Sequence, residues 1–585
     1  MGEADDAKHG VAGGAIAKAT DDAAKAAEEK AAEQELAGKS AEDLITNWSA
    51  YISSYSGKLW PRSTIEHWVN ATVDRFLDMK PRRMLELGSG NGMLAFRAAL
   101  RPEVEEVWMA DLSGEACRYV EKVCAHPHFA HIQHKCKILH RPAHDFAGVP
   151  DNHFDVVVMN AMVMYFPSVE YFTDVMVKCS KCLRPGGSVY IGCCRSLEHL
   201  QHFHTDVTLF NATDDAASAL ELRRSCLQRR AKEKELLLSP DYFYRHAKTM
   251  PGCFDRVAIL LRRGYDCPKV GEPGADPRHA DAPVEMTRWR YDVFLLKGGL
   301  LAEDGVTVPS GSAASRMPGT KVSGGGKIPM SGSTERLQMM EELNFEGQRT
   351  LDEAVEMLRT KKVASADAIL VRNVPNARVL DAVACELVID STIAEGERRG
   401  TPSTVGDVRR AIKAKIGQLA ASNGGVGVCP EAFLEYVERV GEGALAAQMM
   451  FTPSASADAN TAVAGTNSAA HLFDVLIYRL RDGERPSDLP LMPLRQARFR
   501  TGALHEMVDY GRMQVAPLLS RLSTIELGTM VQHRALLSPA QTAPPPRAIC
   551  HPLSSPPPHE TAAALAHALL HALTHSLTHS LTHSL

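Results

Sequence analysis

The sequence lacks any apolar run long enough to cross a membrane. It also lacks the basic-then-apolar opening of a secretory signal, because Asp5, Asp6, Asp21 and Asp22 stand where that segment would be. There is no excess of positive charge: the formal net charge is −5, which gives no basic field to hold nucleic acid. A disulfide framework is missing as well, since thirteen cysteines, an odd number without regular spacing, fit reduced thiols in a reducing compartment. Cys179-Ser-Lys-Cys182 has no second pair at zinc-finger spacing. His126, His128, His131, His134, His140 and His144, with Cys124 and Cys136, crowd one region but lack the i, i+4 pairing of a helical ligand set, so a solvated loop is expected. These absences point to a cytoplasmic protein with no metal, no membrane and no nucleic acid as partner.

What is present is length. A chain of 585 residues implies two or three domains plus tails. Residues 1–44, rich in Ala, Glu, Lys and Asp, cannot bury a core and are expected to be disordered or a solvated helix. A main domain is expected over 45–297, and from Arg83 to Lys297 strand and helix patterns alternate, which argues for a parallel sheet with helices on both faces. The expected strands are 83–87, 105–111, 136–141, 154–160 and 187–192, followed by an antiparallel edge pair, 256–261 and 289–296, after a helical insertion at 196–248. Residues 298–333, rich in Gly, Ser and Pro, read as a flexible linker. A smaller α+β accessory domain is expected over 334–485, with helices 334–359, 405–419 and 430–440 and strands 368–372 and 473–478. A basic, weakly helical segment, 486–540, and a Pro-rich, low-complexity tail, 541–585, complete the chain. The tail closes on a repeat of Thr-His-Ser-Leu, to which no function is assigned.

The segment around which these parts are organised is Arg83-Met-Leu-Glu-Leu-Gly-Ser-Gly-Asn-Gly-Met-Leu-Ala-Phe96. Its glycines, Gly88, Gly90 and Gly92, read G-x-G-x-G with Ser89 between the first two, whereas a dinucleotide fingerprint needs its third glycine where Met93 stands. Glu86 at the strand end would repel a diphosphate but attracts an ammonium group. Glycines let backbone N–H groups approach a ligand closely. The pattern therefore fits S-adenosyl-L-methionine. Asp111, 19 residues beyond Gly92 at the end of the next strand, has the spacing of a ribose-binding acid, with Leu112 beside it. Ala143 and His144, in Pro142-Ala-His-Asp-Phe146, offer backbone N–H groups and a ring to an adenine. Asn160, Met164 and Tyr165 follow the fourth strand, at the edge where ligands of such sheets bind.

Several stretches extend this pattern: Ser53-Ser-Tyr-Ser-Gly57, Tyr165-Phe-Pro-Ser-Val-Glu-Tyr171, Leu183-Arg-Pro-Gly-Gly187 before the fifth strand, Arg195-Ser-Leu197 with Phe203-His204, and Glu285-Met-Thr-Arg-Trp-Arg-Tyr-Asp-Val293. With the glycine turn, they make residues 48–297 resemble the methyltransferase domains embedded in nonribosomal peptide synthetases. Residues 368–380 resemble the segment that follows those domains, and Asp509–Leu536 is faintly similar to the close of an adenylation domain, with Thr529 and Met530 where its lysine belongs. The resemblance implies a class I, Rossmann-like fold with a seven-stranded, mostly parallel sheet, and S-adenosyl-L-methionine as cofactor. It implies Tyr55 on the cofactor, His204, Glu285 and Tyr291 as catalytic candidates, and Met164, Tyr165, Arg195 and Arg288 on the substrate. The family has Gln where Met164 stands and an acid near Cys193, so its substrate choice does not transfer.

The expected activity is N-methylation of an amino acid or related small amine, free or presented by a carrier protein. S- or O-methylation of an amino-acid-derived metabolite and a non-catalytic scaffold descended from a synthetase module are the alternatives.

Overall fold

The computed structural model describes residues 36, 38–48, 51–243, 253–254, 256–264, 283–297, 340–360, 368–422, 427–451, 472–480 and 508–509. Its centre is a sheet whose strands are β1 (Arg83–Leu87), β2 (Glu106–Asp111), β3 (Cys136–His140), β4 (Phe154–Asn160), β5 (Leu183–Arg195), β6 (Arg256–Leu261) and β7 (Arg290–Leu296), continued by β8 (Met340–Asn344), β9 (Ala368–Pro375), β10 (Leu445–Phe451) and β11 (Leu472–Arg479). The spatial order is β3-β2-β1-β4-β5-β7-β6-β10-β11-β9-β8. The first five strands are parallel, and β7 is antiparallel to both β5 and β6. The described strands of 83–297 thus give the expected mostly parallel, Rossmann-like α/β layout. The reversal of order between β1 and β4 opens the crevice in which ligands of such sheets bind.

Pleating explains the apolar runs. On β1, Leu85 and Leu87 join the core under one face while Met84 joins the core under the other. On β4, Phe154, Val157 and Met159 face the first core and Val156 and Val158 the second. Both faces are covered, so the strands read as nearly continuous hydrophobic sequence. The helices among the described residues are α1 (Ala41–Ile45), α2 (Arg62–Leu77), α3 (Met93–Ala99), α4 (Gly114–Ala125), α5 (Val169–Cys182), α6 (Leu200–Asn211), α7 (Ala219–Ala231), α8 (Glu285–Arg288), α9 (Gln348–Arg359), α10 (Leu380–Arg399), α11 (Val405–Ser422) and α12 (Pro430–Val440), of which α7, α10 and α11 pack together in an apolar cluster of their own. Ser113 and Ser168 cap α4 and α5, each accepting a backbone N–H at 3.2 Å.

Four local expectations are corrected. Leu183–Gly187 is not a turn ahead of the fifth strand but a bulge within β5: pairing with β4 jumps from Phe154↔Leu183 to Val156↔Ser188, and Gly186 takes φ +80°. The pair β6–β7 is not an edge, because Leu260 bridges to Met450 and the sheet runs on into β10. Within the segment expected to be one helix over 334–359, the residues described from 340 on form a strand, β8, then α9, separated at Gly347 with φ +130°. In 1–44, the described residues include a packed helix rather than a solvated one: Leu44 is fully buried, and Tyr119 Oη donates to its carbonyl at 2.6 Å. The 20-residue helix α10 and strand β10 were not expected. Of 486–540 only Val508 and Asp509 are described, paired with Leu238 and Leu237. The linker and the tail lie outside the described residues.

Candidate active site

The cofactor half of the site is built at the carboxyl ends of β1, β2 and β4. Gly88, Gly90 and Gly92 all have positive φ (+70°, +54° and +76°), which side-chain-bearing residues rarely adopt. A Cβ on Gly88 would come within 2.8 Å of Met162 Sδ, whereas one on Gly90 would meet nothing within 4 Å. The turn is therefore packed behind and open in front. Asp111 fixes its shape: one carboxylate oxygen accepts the Gly90 N–H and the other the Ser113 N–H, both at 2.8 Å. Each oxygen keeps a lone pair for a further donor, such as a ribose hydroxyl.

Glu86 supplies the test of fit. It is 3% exposed, and its Oε2 has no hydrogen-bond partner among the described residues. Burial pushes its pKa up to about 8; the Ala95 N–H opposes this and the negative Asp111 adds to it. A buried carboxylate short of a partner at the head of a glycine turn is complementary to a methionyl ammonium. Asn160 Oδ1, on the neighbouring strand end, is likewise buried and unpartnered. Leu112 and Tyr165, 71% and 72% exposed, stand just beyond the ends of β2 and β4. Ser89 donates its N–H to Ala110 at 3.2 Å. Ala143 is half-buried, while exposed His144 has its Nδ1 3.1 Å from Tyr171 Oη and its carbonyl bound by Lys178.

A second pocket, about 140 Å³, lies at the end of β5. Its walls include Arg195, Ser196, Glu233, Glu235, Glu285 and Arg290, with Phe203 and Trp289 as aromatic sides. Ser54 donates its N–H to Glu285 Oε2 at 2.8 Å. Arg195 lies between Glu233 (2.6 Å) and Glu235 (2.5 Å) and over the Phe203 ring (5.3 Å). Burial alone would raise the Glu233 carboxyl, but His204 and Arg195 hold it well below the usual range. His204 Nε2 stands 3.4 Å from Glu233, and burial pushes the ring's pKa down while Glu233 opposes that shift.

The chain enters this pocket through a strained bend. Cys193 has φ +59° and Ala161, whose N–H donates to Gly192, has φ +52°. The bend is held from beneath: Asp292 accepts the Cys193 N–H at 2.9 Å and pairs with Arg262 (2.5 Å) and Arg75 (2.8 Å) in the core. Arg290 Nη1 donates to Cys193 Sγ at 3.3 Å.

The expected residues are thus sorted. Arg195 and Glu285 line the pocket, and His204 touches its wall. Tyr291 is fully buried, its hydroxyl donating to the Leu238 carbonyl at 2.8 Å. Arg288 pairs with Asp206 at 3.0 Å, and burial raises Asp206 to about 6 against that pairing. Tyr55 donates to the same Asp206 at 2.6 Å and accepts Trp289 Nε1–H at 2.6 Å. Met164 is buried in the short helical turn after β4. Ser54, Ser196, Phe203, Trp289 and Arg290 were missed, although each stands inside a stretch already singled out. Glu233 and Glu235 carry no local signal, because the insertion folds them back onto Arg195. Cys179 and Cys182 are buried on α5, where burial raises both thiols. Among the described residues no three His, Cys, Asp or Glu side chains gather as a metal site.

A glycine turn opened to solvent, a buried carboxyl with an unpartnered oxygen and an acid that fixes the turn from the next strand end thus meet at one edge of the sheet. A family model described as "Methyltransferase domain" matches residues 85–191, and the chain carries an S-adenosyl-L-methionine-dependent methyltransferase domain. Chondramide synthase cmdD of Chondromyces crocatus is 33% identical over 259 residues, 44% of this chain and 6% of that protein. A protein of Salinispora arenicola described as "Probable non-canonical nonribosomal peptide synthetase (NRPS) CymA" is 32% identical over 255 residues, 43% of this chain and 3% of its own length. The chain thus spans a few per cent of the length of these relatives. A solved O-methyltransferase family protein from Burkholderia thailandensis aligns at 14% identity and TM-score 0.25, covering 39% of this chain and 55% of its own.

Proposed function

We propose that the chain N-methylates an amino acid or related small amine, free or held on a carrier protein. The observation that carries this reading is Glu285, a carboxylate fixed by the Ser54 N–H on the wall of a small pocket at the same sheet edge as the glycine turn. S-adenosyl-L-methionine bound at that turn would supply an electrophilic methyl group. Glu86 is assigned to its ammonium, Asp111 to its ribose hydroxyls, and the glycine turn to close backbone approach. An acceptor amine must be neutral to attack, and Glu285 is assigned the role of accepting its N–H and aiming its lone pair. Arg195 and Glu233, with His204 behind them, hold the opposite wall. Arg288 and Tyr55 brace that wall through Asp206, while Tyr291 packs in the core below it.

A screen of amines, thioethers and carboxylates with a labelled methyl donor tests the reading. Amines are expected to be methylated best; a preference for thioethers or carboxylates overturns N-methylation, and absence of cofactor binding favours a scaffold. Glu285→Gln is expected to spare cofactor binding and slow turnover about 100-fold. Unchanged turnover would remove Glu285 from the mechanism.

A further inference from the structure

A second cavity, about 490 Å³, lies on the other side of β6, between α2, α12 and β10. It opens where the sheet is weakest, since β6 and β10 are joined by the single bridge Leu260↔Met450. Gln448 of β10 is on its wall, 7% exposed, and neither Nε2 nor Oε1 has a hydrogen-bond partner among the described residues. Pleating fixes where this side chain points. Ala446 and Met450 face the core that contains Trp68, Val69 and Val73 of α2, whereas Leu445, Met449 and Phe451 face the opposite core. Gln448 shares the α2 face and is the polar interruption in an otherwise apolar row. Two unmet amide atoms at such a position are costly in the absence of a partner.

An amide offers one donor beside one acceptor. A carboxylate satisfies only the donor and a simple cation only the acceptor, whereas another amide edge meets both at once with two parallel hydrogen bonds. The charged wall adds a second requirement. Five acids, Asp74, Asp78, Glu103, Glu431 and Glu438, line the wall against three arginines; Arg75 is turned away to Asp292, Arg101 pairs with Asp74, Arg263 pairs with Glu431 and Glu438, and Arg378 also approaches Glu431. The surplus is negative and favours a cation. Leu77, Leu260, Leu434 and Met449, with Ala71 and Ala447, supply the apolar part of the lining.

We propose that this cavity binds a small aliphatic amino-acid amide, with its carboxamide on Gln448, its ammonium among the carboxylates and its side chain against the leucines. The site is separate from the methyl-transfer pocket and does not depend on the function assigned to it. The probe is L-leucinamide, titrated into the full chain by calorimetry, with L-leucine (no amide) and 4-methylpentanamide (no ammonium) as comparisons. Leucinamide is expected to bind tightest. Gln448→Met, which keeps volume and removes the unmet amide, is expected to weaken it at least about tenfold with an unchanged or raised melting temperature. Ser196→Ala, in the other pocket, is expected to leave its affinity unchanged. Absence of leucinamide binding, equal affinity in Gln448→Met, or loss of affinity in Ser196→Ala each overturns the proposal. If Gln448→Met does not fold, a crystal of the unaltered chain grown with leucinamide decides: density against Gln448 supports the site, and density elsewhere or none overturns it.

Discussion

The two halves of the proposed site are built in different ways. The cofactor half is local: Gly90 and Asp111 are 21 residues apart in sequence when they bond, and β1, β2 and β4 with their turns hold the rest. The acceptor half is assembled across the chain, with Ser54 bonding Glu285 over 231 residues, Tyr55 bonding Asp206 over 151 and Thr205 bonding Glu386 of α10 over 181. Local geometry leaves a spacing that can be read in sequence, whereas an assembled pocket leaves isolated residues whose neighbours are set only on folding. The acceptor half also leans on the region beyond 340: Glu386 and Asp390 bind Arg223, Asp381 stands 3.6 Å from Arg288, and Phe451 packs on His199 and Tyr291.

That contrast makes the acceptor half the more vulnerable to buried substitutions. Asp292→Ala leaves Arg262 and Arg75 facing each other without their carboxylate and frees the Cys193 bend. It is expected to cost about 3–5 kcal/mol of stability by denaturant titration; a loss below about 1 kcal/mol would show that the ion cluster is not what holds the bend. Asp111→Ala tests the local half. It is expected to cost about 1.5–3 kcal/mol of cofactor binding while the pocket around Arg195 stays intact, and equal loss of acceptor affinity would break the distinction between the halves. The smallest effect is expected at Lys178→Ala, a partly exposed contact to Asp174 and the His144 carbonyl. A stability change under about 1 kcal/mol is expected, and a larger one would make the His144 loop a structural support of the site.

The same contrast explains what was legible. The strand from Arg83 to Leu87, the turn after it and Asp111 follow from apolar runs, glycines and one spacing, and the structure places them where that reading did. Strand ends failed where pairing overrode local pattern, as at Leu183–Gly187, whose turn chemistry survives as a bulge inside β5. Continuation of the sheet through Leu260 and Met450 has no sequence signature, because the joint is one bridge. Tyr291 and Arg288 were identified by motif, but a motif does not reveal whether a polar end faces a pocket or a carbonyl. Glu233 could not have been chosen: its role comes from Arg195 at the end of β5 and from His204 on α6, which meet it only once the insertion has folded.

The account rests most directly on Glu86. Its folded pKa of about 8 lies above its unfolded value, so the stability it contributes is full at low pH and is lost as pH rises through about 8. Binding a methionyl ammonium must reverse this by ionising the carboxyl, which releases a proton near pH 7. Calorimetric titration of S-adenosylhomocysteine in buffers of different ionisation heat measures that release. Tight binding with uptake by the buffer of nearly one proton is expected, and weaker binding without it in Glu86→Gln. Failure to bind, or binding with the same proton count in both proteins, would contradict it.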